Sequence, residues 1–168
     1  ILARSTEPGA DIMMINRELS ALADSIIMMC LELAAGERYG RESAGSRISG
    51  FIVLGLGKLG GCELNVSSDV DLLYLYDDTN DDGNLIIEMT RLAERLTRLL
   101  SEATEYGFLY RVDTRLRADG VSGPLVRSLR DYYRYLELRG EGWERQMLLK
   151  ARPVAGNVEA GFEFLRTL

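Results

Sequence analysis

The apolar positions of the chain fall into two rhythms. From Asp11 to about Ala35 they recur at Ile12, Ile15, Leu19, Leu22, Ile26, Cys30 and Leu33, the three-to-four spacing of a helix with one apolar side. Pro8, Gly9 and the capping candidate Asp11 supply its start. The polar stretch from Gly36 to Gly50 predicts a loop. Ile52, Val53 and Leu54 are short and wholly apolar, as in a buried strand, and VDLLYLY, Val70 to Tyr76, is a second such run. DDTNDDGN then signals a turn. Leu85, Met89, Leu92, Leu96, Leu99 and Ala103 repeat at steps of four and three, a long helix with Gly107 where a C-terminal cap is expected. Phe108 to Leu116 reads as a third strand, and ADGVSGP, Ala118 to Pro124, as its turn.

Ser128 with Asp131 resembles a capping box opening a helix through Tyr132, Tyr133 and Tyr135 to Arg139, where Gly140 and Gly142 break it. A helix around Trp143 to Lys150 leads to Pro153, and a last one begins near Val158. The tyrosines and Trp143 are expected in the core rather than on a base-stacking surface, and Met13, Met14, Met28 and Met29 in helix packing. The order is a helix, a small mixed α/β unit, then helices, which predicts an α+β fold. It divides into 1–49, a helix and loop; 50–127, the central unit; and 128–168, C-terminal helices.

Composition narrows the function. The 168 residues, 46% hydrophobic and 27% charged, suffice for one or two compact units. A net charge of −6 argues against a broad grip on nucleic acid and points to a protein or small-molecule partner. No run approaches the roughly 20 apolar residues of a membrane span, and the start lacks a signal-peptide layout, so a cytoplasmic location away from membranes is expected. Cys30 and Cys62 lack CxxC spacing and are expected as free thiols, one of them buried. With no histidine, catalysis by imidazole and zinc held by His are removed together. The chain begins without Met and ends in FEFLRTL, and reads as a piece of a longer polypeptide.

FIVLGLGKLGG, Phe51 to Gly61, fits G-x-G-x-x-G after a strand, and Asp77 and Asp78 lie about 20 residues on, where a dinucleotide site places its acid. Only nine residues separate Gly60 from Val70, however, too few for the crossover helix a parallel strand requires. Asp69 and Asp71 offer another chemistry. Two apart at a strand entry, they share one face, with Val70 and Leu72 on the other. Such a pair alone is more often a solvated strand end. In YRVDTRLR, alternation places Arg111, Asp113, Arg115 and Arg117 together and adds a third acid among guanidiniums. A glycine turn, three acids and clustered arginines are the parts of a two-metal phosphoryl or nucleotidyl transfer site.

These residues carry a resemblance. GLGKLGGCELNVSSDVDLLYLYD, RVDTRLRADGVSGPLVRSL and GEGWERQMLLKARPVAGN, in that order between Gly50 and Asn157, resemble the glutamine synthetase adenylyltransferase family, a branch of the polymerase β-like nucleotidyltransferases. Ala118 stands where that family usually has proline, and Cys62 where it has a larger residue; Lys58 replaces the serine of the wider superfamily, as is usual in this branch. The resemblance implies a polymerase β-like core with a small mixed sheet over 50–127, and two Mg²⁺ on Asp69, Asp71 and Asp113. It also implies phosphate contacts from Gly57, Lys58, Gly60, Arg115 and Arg117, with Ser67 and Ser68 orienting the turn. The implied partners are glutamine synthetase, ATP, ADP, AMP and phosphate, and, through a full-length chain, the regulatory PII protein. GPLV after Ser122, WERQ and LLKARPVAG look more like the adenylyl-removing than the AMP-attaching domain. The attaching direction, a non-catalytic binding module and, distantly, a dinucleotide enzyme are the alternatives.

Overall fold

In the computed structural model, residues 11–79 and 84–168 are described, so Asn80 to Gly83 of the turn DDTNDDGN lie outside them. The first helix, α1 (Ile12–Tyr39), starts at Asp11, whose carboxylate accepts the N–H groups of Met13 and Met14, and stops at Gly40, which takes a φ of 76°. Its buried stripe runs through Ala23, Ile27, Leu31 and Ala34, while Ile12, Leu22 and Leu33 are exposed. The helix is thus turned from the expected side, because the alanines let it lie close against the sheet. Met13, Met14 and Met29 are exposed, correcting their expected packing, and Met28 alone of the four packs on the core. By length and composition α1 is apolar enough to cross a bilayer, which the sequence reading did not credit; here one side of it belongs to the core.

The predicted loop from Gly36 to Gly50 is instead the last turn of α1 and a second helix, α2 (Arg41–Ser49). Only Ala44 of α2 is buried, so no apolar period announced it. Glu42 in its first turn and Arg47 in its last suit the helix dipole.

Two strands follow, β1 (Phe51–Gly55) and β2 (Val70–Tyr76), paired antiparallel with Gly55 opposite Leu72. Between them the glycine turn forms a single short helix, α3 (Gly57–Gly60). Antiparallel pairing removes the dinucleotide alternative, which needs a parallel strand–helix–strand unit. Helix α4 (Leu85–Ser101) buries Met89, Leu92, Ala93, Leu96 and Leu100 and ends at Glu102. Gly107 is not its cap. With φ 99° it closes a turn with Thr104, bonded in both directions.

The strand expected from Phe108 to Leu116 shrinks to β3 (Val112–Asp113), parallel to β2. A little further along the same edge of β2 lies β4 (Val126–Ser128), also parallel, and the chain between them swings out through a 3₁₀ turn at Gly120–Ser122. Helix α5 (Leu129–Leu138) opens where Ser128 Oγ accepts the Asp131 N–H, while the Asp131 carboxylate is engaged by Arg127. The fully reciprocal capping box belongs to α6 (Gly142–Leu148), between Glu141 and Glu144. Trp143 is half-exposed, its indole donating to Glu141, so its expected place in the core is corrected; Tyr132 and Tyr135 are buried as expected. β5 (Arg152–Gly156) escaped sequence reading. It is an edge strand on β1 with an irregular register opposite Val53 and Leu54, which is where a proline such as Pro153 fits a sheet. Helix α7 (Val158–Thr167) ends the described chain.

The sheet, in the order β3-β2-β1-β5 with β4 beside β2, is covered on both faces. Phe51, Val53, Val70, Leu72, Tyr74 and Tyr76 meet α1 and α4, and Ile52, Leu54, Leu73 and Leu75 meet α5, α6 and α7. That is why β1 and β2 read as continuous apolar runs rather than alternating ones. Asp71 shares the parity of Leu73 and Leu75. Its side chain therefore leaves the sheet on the α5–α7 face, at the end of β2 next to the glycine turn.

Candidate active site

The antiparallel pairing that excludes a dinucleotide fold also assembles the site. Because β1 ends where β2 begins, Leu56 donates its N–H to the Asp71 carbonyl at 2.9 Å, and the next residue, Gly57, faces the Asp71 carboxylate. A Cβ on Gly57 would fall 2.6 Å from Asp71 Oδ2, and the residue has φ +51°, so both space and backbone call for glycine. Gly60 differs from Gly57. It is buried, and a Cβ there would lie 2.2 Å from the Lys150 carbonyl oxygen and 2.6 Å from that of Gly55. Its missing side chain lets the segment before β5 close over the turn. Of the expected phosphate-facing glycines, Gly57 borders the acid and Gly60 packs the interior.

The strand register sets Asp71 directly beside Asp113. Asp113 is gripped by Arg115, whose Nη2 lies 2.6 Å and Nε 3.0 Å from its oxygens and whose backbone N–H adds a bond at 2.8 Å. Asp69, two residues before Asp71, accepts from Arg111 Nε at 2.5 Å, and Arg111 Nη2 reaches the Ser67 carbonyl at 2.9 Å. The Asp71 carboxylate makes no hydrogen bond or ion pair among the described residues. Burial raises its pKa, and the charges of Asp113 and Asp69 raise it further, against the weaker pull of Arg115 and Lys58. Asp113 moves the other way: the Arg115 guanidinium holds its pKa below the ordinary carboxylate range. Neighbouring carboxylates driven apart in this way mark a site where charge is concentrated.

The remaining expected residues divide. Lys58 Nζ lies 3.5 Å from Ser68 Oγ, and Ser68 closes the turn by donating to Asn65 Oδ1 at 2.6 Å. Ser67 contributes its carbonyl to Arg111. Arg115 is exposed at the site mouth. Arg117 is not aligned with it, because the strand whose alternation was to place it there ends at Asp113. Its guanidinium is spent on the backbone carbonyls of Thr114, Val121 and Gly123, and burial lowers its pKa. Lys150 pairs with Glu63 and Arg152 with Asp24; Arg152 also bonds the Leu59 carbonyl beneath the glycine turn. Arg111, grouped with the acids by strand alternation, was not among the named phosphate contacts. The signal was its position two residues before Asp113.

Among the described residues, no three acidic or thiol side chains converge to enclose a metal ion. Asp69 and Asp113 are instead each turned onto a guanidinium, that of Arg111 and that of Arg115. The all-oxygen donor set, the unpartnered Asp71 carboxylate and the space kept open at Gly57 fit a hard divalent cation such as Mg²⁺. An apolar cavity of about 250 Å³ between α5, α6 and α7, lined by Leu136, Leu148 and Leu165, contains none of these groups.

A small mixed sheet covered by helices, with the glycine turn tucked between its first two antiparallel strands, is a polymerase β-like nucleotidyltransferase core. The chain belongs to the glutamate-ammonia ligase adenylyltransferase family, whose sequence model matches residues 1–167. It is 42% identical over 165 residues to the bifunctional glutamine synthetase adenylyltransferase/adenylyl-removing enzyme of Nitrosococcus oceani, covering 90% of this chain and 17% of that protein. To the enzymes of the same name from Mesorhizobium japonicum and Rhizobium meliloti it is 40% and 47% identical, covering 90% and 76% of this chain and 16% and 13% of theirs. The chain thus spans less than a fifth of the length of these relatives.

Proposed function

We propose that the chain is a nucleotidyl-transfer unit acting on glutamine synthetase, and that its reaction is the phosphorolytic removal of AMP from an adenylylated tyrosine. The observation that carries this is the register that sets Asp71 beside Asp113 and against Gly57, with Asp69 two residues before. The names of the relatives supply the substrate, and the blocks at Gly123–Val126 and Trp143–Gly156 favour the removing direction.

Asp69, Asp71 and Asp113 would hold two Mg²⁺, which when bound supply positive charge at the phosphorus and at the entering and leaving oxygens. Arg115 and Lys58 orient the attacking phosphate. Gly57 lets it approach the acids without a side chain in the way, and Arg117 fixes the turn from which Arg115 extends. A phosphate oxygen attacks the AMP phosphorus in line, the bond from phosphorus to the tyrosine oxygen breaks, and ADP forms. The tyrosinate then takes a proton from water; a phenol of pKa near 10 is a workable leaving group.

The test uses the full-length protein with adenylylated glutamine synthetase, phosphate and Mg²⁺, measuring ADP. Asp71→Asn should lower its formation by about 10²-fold or more, as expected for the loss of a charge-stabilising group, and should abolish the rise in melting temperature on adding Mg²⁺. Undiminished ADP formation in the variant would remove this site from the reaction. AMP transfer from ATP lost in the variant, with ADP formation intact, would assign the opposite direction.

A further inference from the structure

We infer that Arg111 is a phosphate-binding residue of this site, resting on Asp69 while no phosphate is present and passing to a phosphate oxygen of the bound substrate; this deepens the nucleotidyl-transfer reading above and rests on it. Three observations carry it. The root of Arg111 is fixed, because its carbonyl accepts the Val70 N–H at 2.9 Å immediately before β3, but its side chain is 61% exposed. Two of its nitrogens hold Asp69 and the Ser67 carbonyl, and Nη1 has no partner among the described residues. An exposed ion pair of this kind contributes little, whereas a phosphate accepts both edges of a guanidinium fork.

Arg117 is the contrasting case. Its donors are committed to three backbone carbonyls of its own turn, so the guanidiniums left to face a phosphate are those of Arg111 and Arg115. Arg111 and Lys58 also reach the same loop at adjacent residues, Arg111 at the Ser67 carbonyl and Lys58 at the Ser68 hydroxyl. A phosphate bound at this loop would meet two cations anchored one residue apart. The same movement frees Asp69, so that anion and cation sites become available together.

Calorimetry on the protein with Arg111→Gln and Arg111→Lys tests this, using ADP with Mg²⁺ and, separately, Mn²⁺ alone. In Arg111→Gln the ADP affinity should fall by at least about tenfold, the loss of a charge-assisted hydrogen bond, and Arg111→Lys should recover part of it. Mn²⁺ without nucleotide should bind both variants at least as tightly as the parent, since Asp69 loses a competitor. ADP affinity within about twofold of the parent in Arg111→Gln would overturn the inference. So would weaker binding of Mn²⁺ alongside that of ADP, the mark of a residue that only shapes the acid loop. A parent protein that binds neither probe would overturn the nucleotidyl-transfer reading itself, and this inference with it.

Discussion

Gly57 and Gly60 belong to one motif yet answer to different neighbours, and substitution should separate them. At Gly57 a methyl would press on the Asp71 carboxylate and hold a left-handed backbone at a cost of about 1–2 kcal/mol. Gly57→Ala should therefore impair activity far more than its modest loss of stability suggests. At Gly60 the methyl would meet two backbone oxygens that cannot swing aside, and Gly60→Ala should destabilise by about 1–3 kcal/mol or more. Urea unfolding beside an activity assay decides; equal losses of activity per unit of stability at the two positions would refute the division. The sequence could state the glycine spacing but not its targets, because Lys150 and Asp71 reach the turn only through folding. Asp69 and Asp71 were picked out by strand alternation, although the strand itself begins at Val70, after Asp69. Arg117 was not, since the alternation that placed it beside Arg115 stops at Asp113, four residues before it.

At the scale of elements, legibility followed apolar content. Helices α1 and α4 and strands β1 and β2 announced themselves because each carries a regular row of apolar side chains. Helix α2, with one buried alanine, and β4, with three residues, gave no period to read. β5 was hidden by Pro153, a residue tolerated there only because the strand lies at an edge. The junction of α5 and α6 turns on Glu144, 1% exposed, which accepts from the Tyr135 hydroxyl at 2.8 Å and from the Glu141 N–H at 2.8 Å. Glu144→Ala would leave both donors without their partner and should cost about 2–4 kcal/mol, with Glu144→Gln retaining part of it. A loss below about 0.5 kcal/mol in urea unfolding would mean that water replaces the carboxylate without penalty.

Across the whole molecule, residues 11–49 are not an appendage. Ala23, Ile27, Leu31 and Ala34 of α1 share a core with Phe51, Val53, Leu72 and Tyr74, and Asp24 holds Arg152 at 2.7 Å, which in turn bonds the Leu59 carbonyl. A chain beginning at Gly50 would lose α1 from one face of the sheet and leave that face to α4 alone. It should show no cooperative melting transition in calorimetry, and a sharp transition near that of the parent would show α1 to be dispensable.

β3 and β4 dock on one edge of β2, so the segment from Thr114 to Leu125 departs from that strand and comes back to it. Such an excursion is slack in the line. Lengthening or shortening it changes how far the chain strays, while its moorings at Asp113 and Val126 keep their places along β2. Variation in this segment can accordingly reshape what surrounds the acids without altering their spacing, leaving one region free to diverge beside another that is not.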